Sequence, residues 1–495
     1  MAHLTSNNNC LSDAQRRFAQ TALNALNSNE RLHAVGSLIP EKNQALLAQI
    51  AQEDAAEEVR EAAVRRLIPE LNQHLLAKIA QEDESWNVAS LALDNLIDQA
   101  LILETAANAK SVQACCMAIK QLLPGLHNTW LEQIALEHAN EQVRATAVAV
   151  LPPKSHQALL ACIAQVDTAP AVRVEALKML FTELYQPLMA QIAMTDEVPA
   201  VRVEAVRKLS PERNQVLLTK IVRQDKNDRV RIAAMKLLTV ERHQRLFAKV
   251  AKSDGEWDVI CEAFKKLNDQ DLIAETVRGA KLVRARKEAL KKLNIALHQP
   301  LLQKTAREDS EPDVRAEAVA RLTADQNQSF FIQTTMEDDD PAVRAAAVKK
   351  LAPESNQPFL AKLIGMDSSP TVRAAAVALL EPLRNEALLK QLATDADKDV
   401  RAAAVNRLTF DGNQLLLMRI VAKDSIVGIR MAAFYRILKH DANAAAAMVD
   451  DFLQAPAKHS DFLLELFMRE QPNSYIRRKI IANKRMARKI AGEFS

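Results

Sequence analysis

Residues 43–71 read NQALLAQIAQEDAAEEVREAAVRRLIPEL, and the phrase N-Q-x-L-L-x-x-I-A-x-x-D-x-x-P-x-V-R-x-A-A-V-x-x-L-x-P-E-x returns with variations along the chain. The clearest copies begin at Asn43, Asn72, Asn214, Asn327 and Asn356. Within the quoted stretch, Leu46, Leu47, Ile50 and Ala51 make one apolar stripe at helical spacing. Val59, Ala63, Val64 and Leu67 make a second. Each copy is therefore two short helices, A and B. Helices this short are marginal in water. A neighbouring pair must supply the missing apolar surface, which is the logic of a solenoid.

With the Arg of V-R as anchor, fifteen units follow, at Arg31, Arg60, Ala89, Cys115, Arg144, Arg173, Arg202, Arg231, Ile260, Arg286, Arg315, Arg344, Arg373, Arg401 and Arg430. Most steps are 29 residues. The expected fold is all-α: an α-solenoid, a superhelical stack of about fifteen helix pairs over residues 12–440. A flexible segment, 1–11, precedes it, and a helical C-terminal cap with a basic amphipathic tail, 441–495, closes it. B helices are expected on one face and A helices on the other.

The boundaries carry their own chemistry. Asn43, Asn72, Asn214, Asn327, Asn356 and Asn413 precede helix A and suit an N-cap, with His127, His156, His243 and His298 in the same slot. Pro170, Pro199, Pro312, Pro341 and Pro370 open helix B, where a missing N–H does no harm. Pro40, Pro69, Pro211 and Pro353 close it. An Asp stands six residues before most anchor arginines, as in Asp54/Arg60, Asp167/Arg173, Asp196/Arg202 and Asp395/Arg401. Arg makes two parallel hydrogen bonds to a carboxylate, so repeated pairs predict a ladder that locks the turns. The other reading of the ladder is a row of positive charge facing a ligand.

The recurring D-x-x-P-x-V-R-x-x-A-x-x-x-L resembles the HEAT-like repeat of the phycobilisome-lyase type over nearly the whole chain. It departs from that pattern in carrying P-E-x-N-Q where a Gly often follows the last Leu. The resemblance implies a bacterial HEAT-like repeat protein. Relatives of this type include protein-binding scaffolds, tetrapyrrole lyases and a DNA alkylpurine glycosylase, so the fold alone does not choose among them.

Two stretches break the rule in the same way, near 84–122 and 255–293. Trp86 matches Trp257, Asp98 matches Asp269 and Lys110 matches Lys281, always 171 residues apart. In both, Trp opens helix B, Ala89 or Ile260 replaces the anchor Arg, the next inter-repeat turn is three residues shorter, and Ala109 or Ala280 stands where Asp belongs. A bend or change of pitch is expected at each joint. Each Trp either fills the gap left by the Arg network or anchors a partner.

The second joint is also basic, with Arg278, Lys281, Arg284, Arg286, Lys287, Lys291 and Lys292. These residues are either solvated helix surface or a site for a phosphate-bearing or acidic partner. Near the C-terminus, HSDFLLELFMREQ predicts a capping helix. The stretch after it sets Arg477, Arg478, Lys479, Lys484, Arg485, Arg488 and Lys489 among isoleucines and a methionine. That pattern either docks on a partner, a membrane surface or nucleic acid, or packs its apolar side on the array.

Composition narrows the classes. Gly is scarce (8), aromatics are 4 %, hydrophobic residues are 48 % and the net charge is +3. That balance is unlike a dedicated nucleic-acid binder, which is more strongly basic. Five cysteines without a C-x-x-C pair suggest a reduced, cytoplasmic protein. No signal peptide or membrane-spanning run is expected. Nucleotide-binding, zinc-protease, nucleophile-elbow and EF-hand motifs are absent, so no cofactor, no metal and no enzymatic activity are expected. The leading function is a scaffold binding a protein partner along the curved face. The alternative is nucleic-acid binding through the 278–292 patch and the tail, and a lyase- or glycosylase-type enzyme ranks third.

Overall fold

The computed structural model describes residues 13–123, 125–471, 474–483, 486 and 488–490. The 1–11 segment, Lys484 and Arg485 lie outside the described residues. Every regular element among the described residues is helical. The chain forms two compact units, Met1–His243 and Gln244–Ser495. The first thirty α-helices, from Asp13–Asn24 to Val427–His440, pair into the fifteen repeats anticipated. Repeats 1–8 lie in the first unit. Repeats 9–15 lie in the second, followed by helices Ala442–Gln454, Ser460–Arg469 and Tyr475–Ala482. Each unit is an α-solenoid.

The apolar stripes close the core as spaced. In repeat 2, Leu47, Ile50 and Ala51 of helix Gln44–Glu53 meet Val59, Ala63 and Val64 of helix Glu57–Val64, all buried. Repeat 6 repeats the set with Leu160, Ile163, Ala164, Val172, Ala176 and Leu177. Each large aliphatic side chain contributes about 1.5–3 kcal/mol when buried, and much of that surface belongs to the neighbouring pair. Within each unit most consecutive B helices pack directly on one another, while most consecutive A helices stand further apart. The small Ala at the centre of helix B (Ala63, Ala147, Ala176, Ala205) permits that approach. The B side is thus the inner side of each unit.

Two polar ladders flank the core. The first runs through the A–B turns and corrects the pairing expected from sequence. The carboxylate of Asp54 is not held by Arg60, six residues on, but by Arg31 of the preceding repeat, through Nε and Nη2 at 2.7 Å each. Arg60 instead donates Nη1 to the Asp54 backbone oxygen (2.9 Å) and grips Asp83 of the next repeat (2.8 and 2.9 Å). The same rung joins Arg144 to Asp167, Arg173 to Asp196, Arg202 to Asp225, Arg286 to Asp309, Arg315 to Asp338, Arg344 to Asp367 and Arg401 to Asp424. Arg373 and Asp395 are stretched to 3.8 Å, where the repeat is one residue short. Each Asp also accepts the N–H two residues on, as Ala56 to Asp54 at 2.9 Å, which fixes the turn. The ladder is therefore a turn lock that welds successive repeats together within each unit wherever a rung is present.

The second ladder runs through the B–A turns. Asn43, Asn72, Asn214, Asn327 and Asn356 stand at or beside the start of helix A, but their side chains do not cap it. Asn72 donates back to Ile68 O (2.9 Å) and to Gln44 Oε1 (2.7 Å) of the repeat before. The Gln is the bridging residue. Gln44 Nε2 donates to Arg66 O (3.2 Å), and its Oε1 accepts from Ile68 N–H (2.9 Å). Gln357 does the same with Leu379, Glu381 and Asn385. Pro40 and Pro69 each open a short 3₁₀ turn that leads into helix A, rather than closing helix B.

The first ladder loses two successive rungs at the first joint, where Cys115 and His138 also replace an Arg and its Asp, and one at the second. Ala89 and Ala109 stand where an Arg and its Asp would meet, and Ile260 and Ala280 repeat the loss. Removing both ends avoids the stranded buried charge that a half-rung would leave. A backbone bond takes over: Lys110 N–H to Gln81 O and Lys281 N–H to Lys252 O, both 3.1 Å. Here the A side closes. Helix Gln73–Glu82 packs firmly on Gln99–Asn108, and Gln244–Ser253 on Gln270–Gly279. Helix Trp257–Lys266 barely touches Val283–Lys292. The shortened turn is the cause, and its Asp98 or Asp269 is a true N-cap, accepting two N–H groups.

Candidate partner-binding site

The inner face of repeats 6–8 carries a groove of about 710 Å³. Helices Pro170–Met179, Pro199–Arg207 and Asp228–Leu237 build it. The residue after each anchor Arg forms its floor: Val174, Val203 and Ile232, all half-buried, with Ala200 and Ala233 between them. Because each anchor side chain turns into the ladder, the next residue turns to the open side of the helix. Lys178, Arg207, Arg229 and Lys236 line the groove against one acid, Glu204. Lys178 bonds Glu175 at 2.9 Å and Arg207 lies 3.6 Å from Glu204, yet the cationic side chains stay 51 % and 67 % exposed. Arg229 is exposed and makes no ion pair among the described residues. An apolar floor with cationic margins suits a protein segment that carries aliphatic side chains.

None of the binding residues expected from sequence lines this groove; Pro199, read there only as the opener of a B helix, does. The signal that could have found it is positional. The residue after the anchor is a large aliphatic in three successive repeats, whereas it is Ala316, Ala345, Ala374 and Ala402 further on. That contrast appears only when repeats are compared position by position.

The basic patch of the second joint is divided. Arg286 is a ladder rung on Asp309 (2.9 Å). Lys292 donates to Phe264 O and, at 2.9 Å, to Leu267 O, closing the end of the preceding B helix. Lys350 and Arg407 do the same in their own repeats. Lys287 pairs with Asp313 (3.1 Å) and Lys291 with Glu288 (3.5 Å). Arg278, Lys281 and Arg284 are exposed and form no ion pair among the described residues. Arg278 and Arg286 border a shallower cleft of about 530 Å³ that also holds Lys304, Glu308 and Asp309.

Trp86 opens its helix with 39 % of its surface exposed, and Trp257 is half-buried. The tail helix lays Ile476 and Ile480 inward, with Met486 buried beyond it. Arg477 stacks over Phe467 (4.2 Å), Lys479 pairs with Asp450, and Lys489 reaches Asp461 (3.1 Å). Arg478 and Arg488 point to solvent. The last anchor, Arg430, is buried without an Asp rung: Nε donates to Val421 O (2.7 Å), Nη2 meets His459 Nδ1 (3.0 Å), and Phe462 lies beneath (4.6 Å). Cys115 donates its thiol to Ala106 O (3.0 Å), and burial, with a smaller push from Cys116, raises that thiol to about 11. Among the described residues no group of three or more His, Cys, Asp or Glu could hold a metal ion. No described helix is long and apolar enough to cross a membrane.

A family model described as HEAT repeats matches residues 299–381, which span repeat 11, repeat 12 and the greater part of repeat 13. No curated protein matches the chain. Among solved structures, the chain is similar to Kap121p bound to RanGTP (14 % identity, 87 % of this chain, 51 % of that one, TM-score 0.36). It is also similar to importin beta in an ammonium sulfate condition (12 %, 96 % and 78 %, TM-score 0.35). A third likeness is to the S. pombe condensin Cnd3–Cnd2 subcomplex (14 %, 91 % and 72 %, TM-score 0.31). The chain spans about half the length of Kap121p.

Proposed function

We propose that the chain is a non-catalytic scaffold that binds a protein partner along the inner, B-helix face. The observation that carries this reading is the groove across repeats 6–8, where Val174, Val203 and Ile232 present one half-buried aliphatic side chain per repeat. A solenoid needs nothing large at that position, because the core is already closed by the stripes on the other side of helix B. The test is affinity capture from the host with the full chain, after nuclease treatment, comparing Val203→Glu with Val216→Glu. Val216 sits on an A helix and is 87 % exposed. The reading expects a defined protein that survives nuclease, is lost with Val203→Glu and is kept with Val216→Glu. Capture indifferent to Val203 would end it.

A second reading, nucleic-acid binding, draws support from Arg278, Lys281 and Arg284, exposed together at the second joint. Neutralising all three should then flatten the salt dependence of binding to a random-sequence duplex by about three counterions. A salt slope unchanged by that triple substitution removes the reading.

A further inference from the structure

Resting on the inner face as the docking surface, we propose that the groove of repeats 6–8 receives an acidic amphipathic helix of the partner. That helix would lie across the B helices and seat one aliphatic side chain per repeat.

The spacing argument comes first. Packed helices stand about 8–10 Å apart, so the floor residues Val174, Val203 and Ile232 recur at about that step. An α-helix advances 1.5 Å per residue, so seven residues cover about 10.5 Å in nearly two whole turns. One side chain in seven therefore returns to the same face at each repeat. An extended strand covers about 10 Å in three residues, but an odd step turns the side chain to the opposite face. The floor fits a heptad-spaced helix and not a strand.

Charge fixes the rest. The margins hold Lys178, Arg207, Arg229 and Lys236 against Glu204. Repeats 6 and 7 place a Glu two residues after the anchor, Glu175 and Glu204, beside their cations. Repeat 8 has Ala233 at that position, which lowers the floor and removes an acid. Lys178, Arg207 and Arg229 are exposed and outnumber Glu175 and Glu204, so a helix with carboxylates flanking its aliphatic stripe is attracted and a basic helix is repelled.

The probe is a synthetic helical peptide of about three heptads, with Leu at one position per heptad and Glu on both flanks of that stripe. Its binding to the full-length protein is followed by fluorescence anisotropy. The comparison peptide has Lys for every Glu. The expected result is binding of the acidic peptide only, lost with Val203→Glu and weakened about tenfold by Lys178→Gln/Arg207→Gln. Circular dichroism of both variants checks that the repeats remain folded. Equal binding of the two peptides, binding of neither, or unchanged affinity in the Lys178→Gln/Arg207→Gln protein overturns the proposal. Capture from the host separates the two levels. Capture lost with Val203→Glu but unaffected by the double neutralisation leaves inner-face docking standing and removes the acidic occupant. Capture unaffected by Val203→Glu removes both.

Discussion

A single rung of the Asp–Arg ladder welds two repeats, and its weight is measurable. Asp196 accepts both nitrogens of the Arg173 fork and the Val198 N–H, with about a tenth of its side chain exposed. Asp196→Ala strands the guanidinium and should cost about 3 kcal/mol in urea denaturation. The exposed Lys178–Glu175 pair, broken by Lys178→Ala, should cost no more than about 0.5 kcal/mol. Equal losses would mean that the ladder adds no more than surface charge. Gln357 bonds four partners across two repeats, so Gln357→Ala should cost about 2–3 kcal/mol. Titration gives a second handle. Burial alone would raise the Asp54, Asp167 and Asp367 carboxyls, but the Arg forks, the turn N–H groups and the nearby charge outweigh it and hold all three below the ordinary value. Their stabilisation is complete above about pH 4 and is lost as pH falls through the lowered folded values. His459 is lowered by burial and then by the Arg430 charge. Its contribution is present above about pH 6.5 and drains away as pH falls below that. The urea midpoint of His459→Gln should therefore fall less between pH 7 and 5 than that of the parent. Parallel curves would show that the terminal Arg–His contact does not matter.

At the scale of elements, the two joints are the seams of the array. They lack a rung, and in the second the B helices part. Hydrogen exchange should be faster in Trp86–Asp94 and Trp257–Lys266 than in Pro170–Met179, whose anchor is tied on both sides. Slower or equal exchange at the joints would mean that the closed A side compensates in full. Much of this was legible in the sequence. The 29-residue period fixed the helix pairs, the prolines marked the starts of B helices, and the coordinated loss at Trp86 and Trp257 marked the joints. The partner of each Asp was not legible. The spacing of six to Arg60 within a repeat and of 23 to Arg31 in the repeat before are both constant in a periodic chain. Periodicity cannot distinguish them, and only the fold shows which guanidinium reaches the carboxylate. The asparagines misled for a related reason. They stand at the cap position, yet, as at Asn72, the amide Nδ2 turns back to donate to a carbonyl four residues earlier and to the Gln of the repeat before, and the side-chain oxygen caps no helix N–H.

On the scale of the whole molecule, charge runs in the sequence pointed to places that the fold largely uses for itself. Arg286 and Lys292 bind their own neighbours, and the tail turns Ile476 and Ile480 inward. The groove across repeats 6–8 lay unseen because three aliphatic residues spread over fifty-nine positions look like core until the anchor's direction is known. Beneath each of these conclusions is the claim that the repeats of a unit share one continuous core by lending surface to neighbours, so that stability spreads by contact and fades with distance. Leu177, fully buried on helix B of repeat 6, offers the direct test. Leu177→Ala should cost about 2–5 kcal/mol, and native-state hydrogen exchange reads where that loss goes. The account predicts faster exchange in Pro170–Met179 and in the adjoining Glu141–Val150 and Pro199–Arg207, declining to none at Ser28–Ser37. Acceleration that is uniform across all of these helices, or confined to the pair of repeat 6 alone, would contradict it.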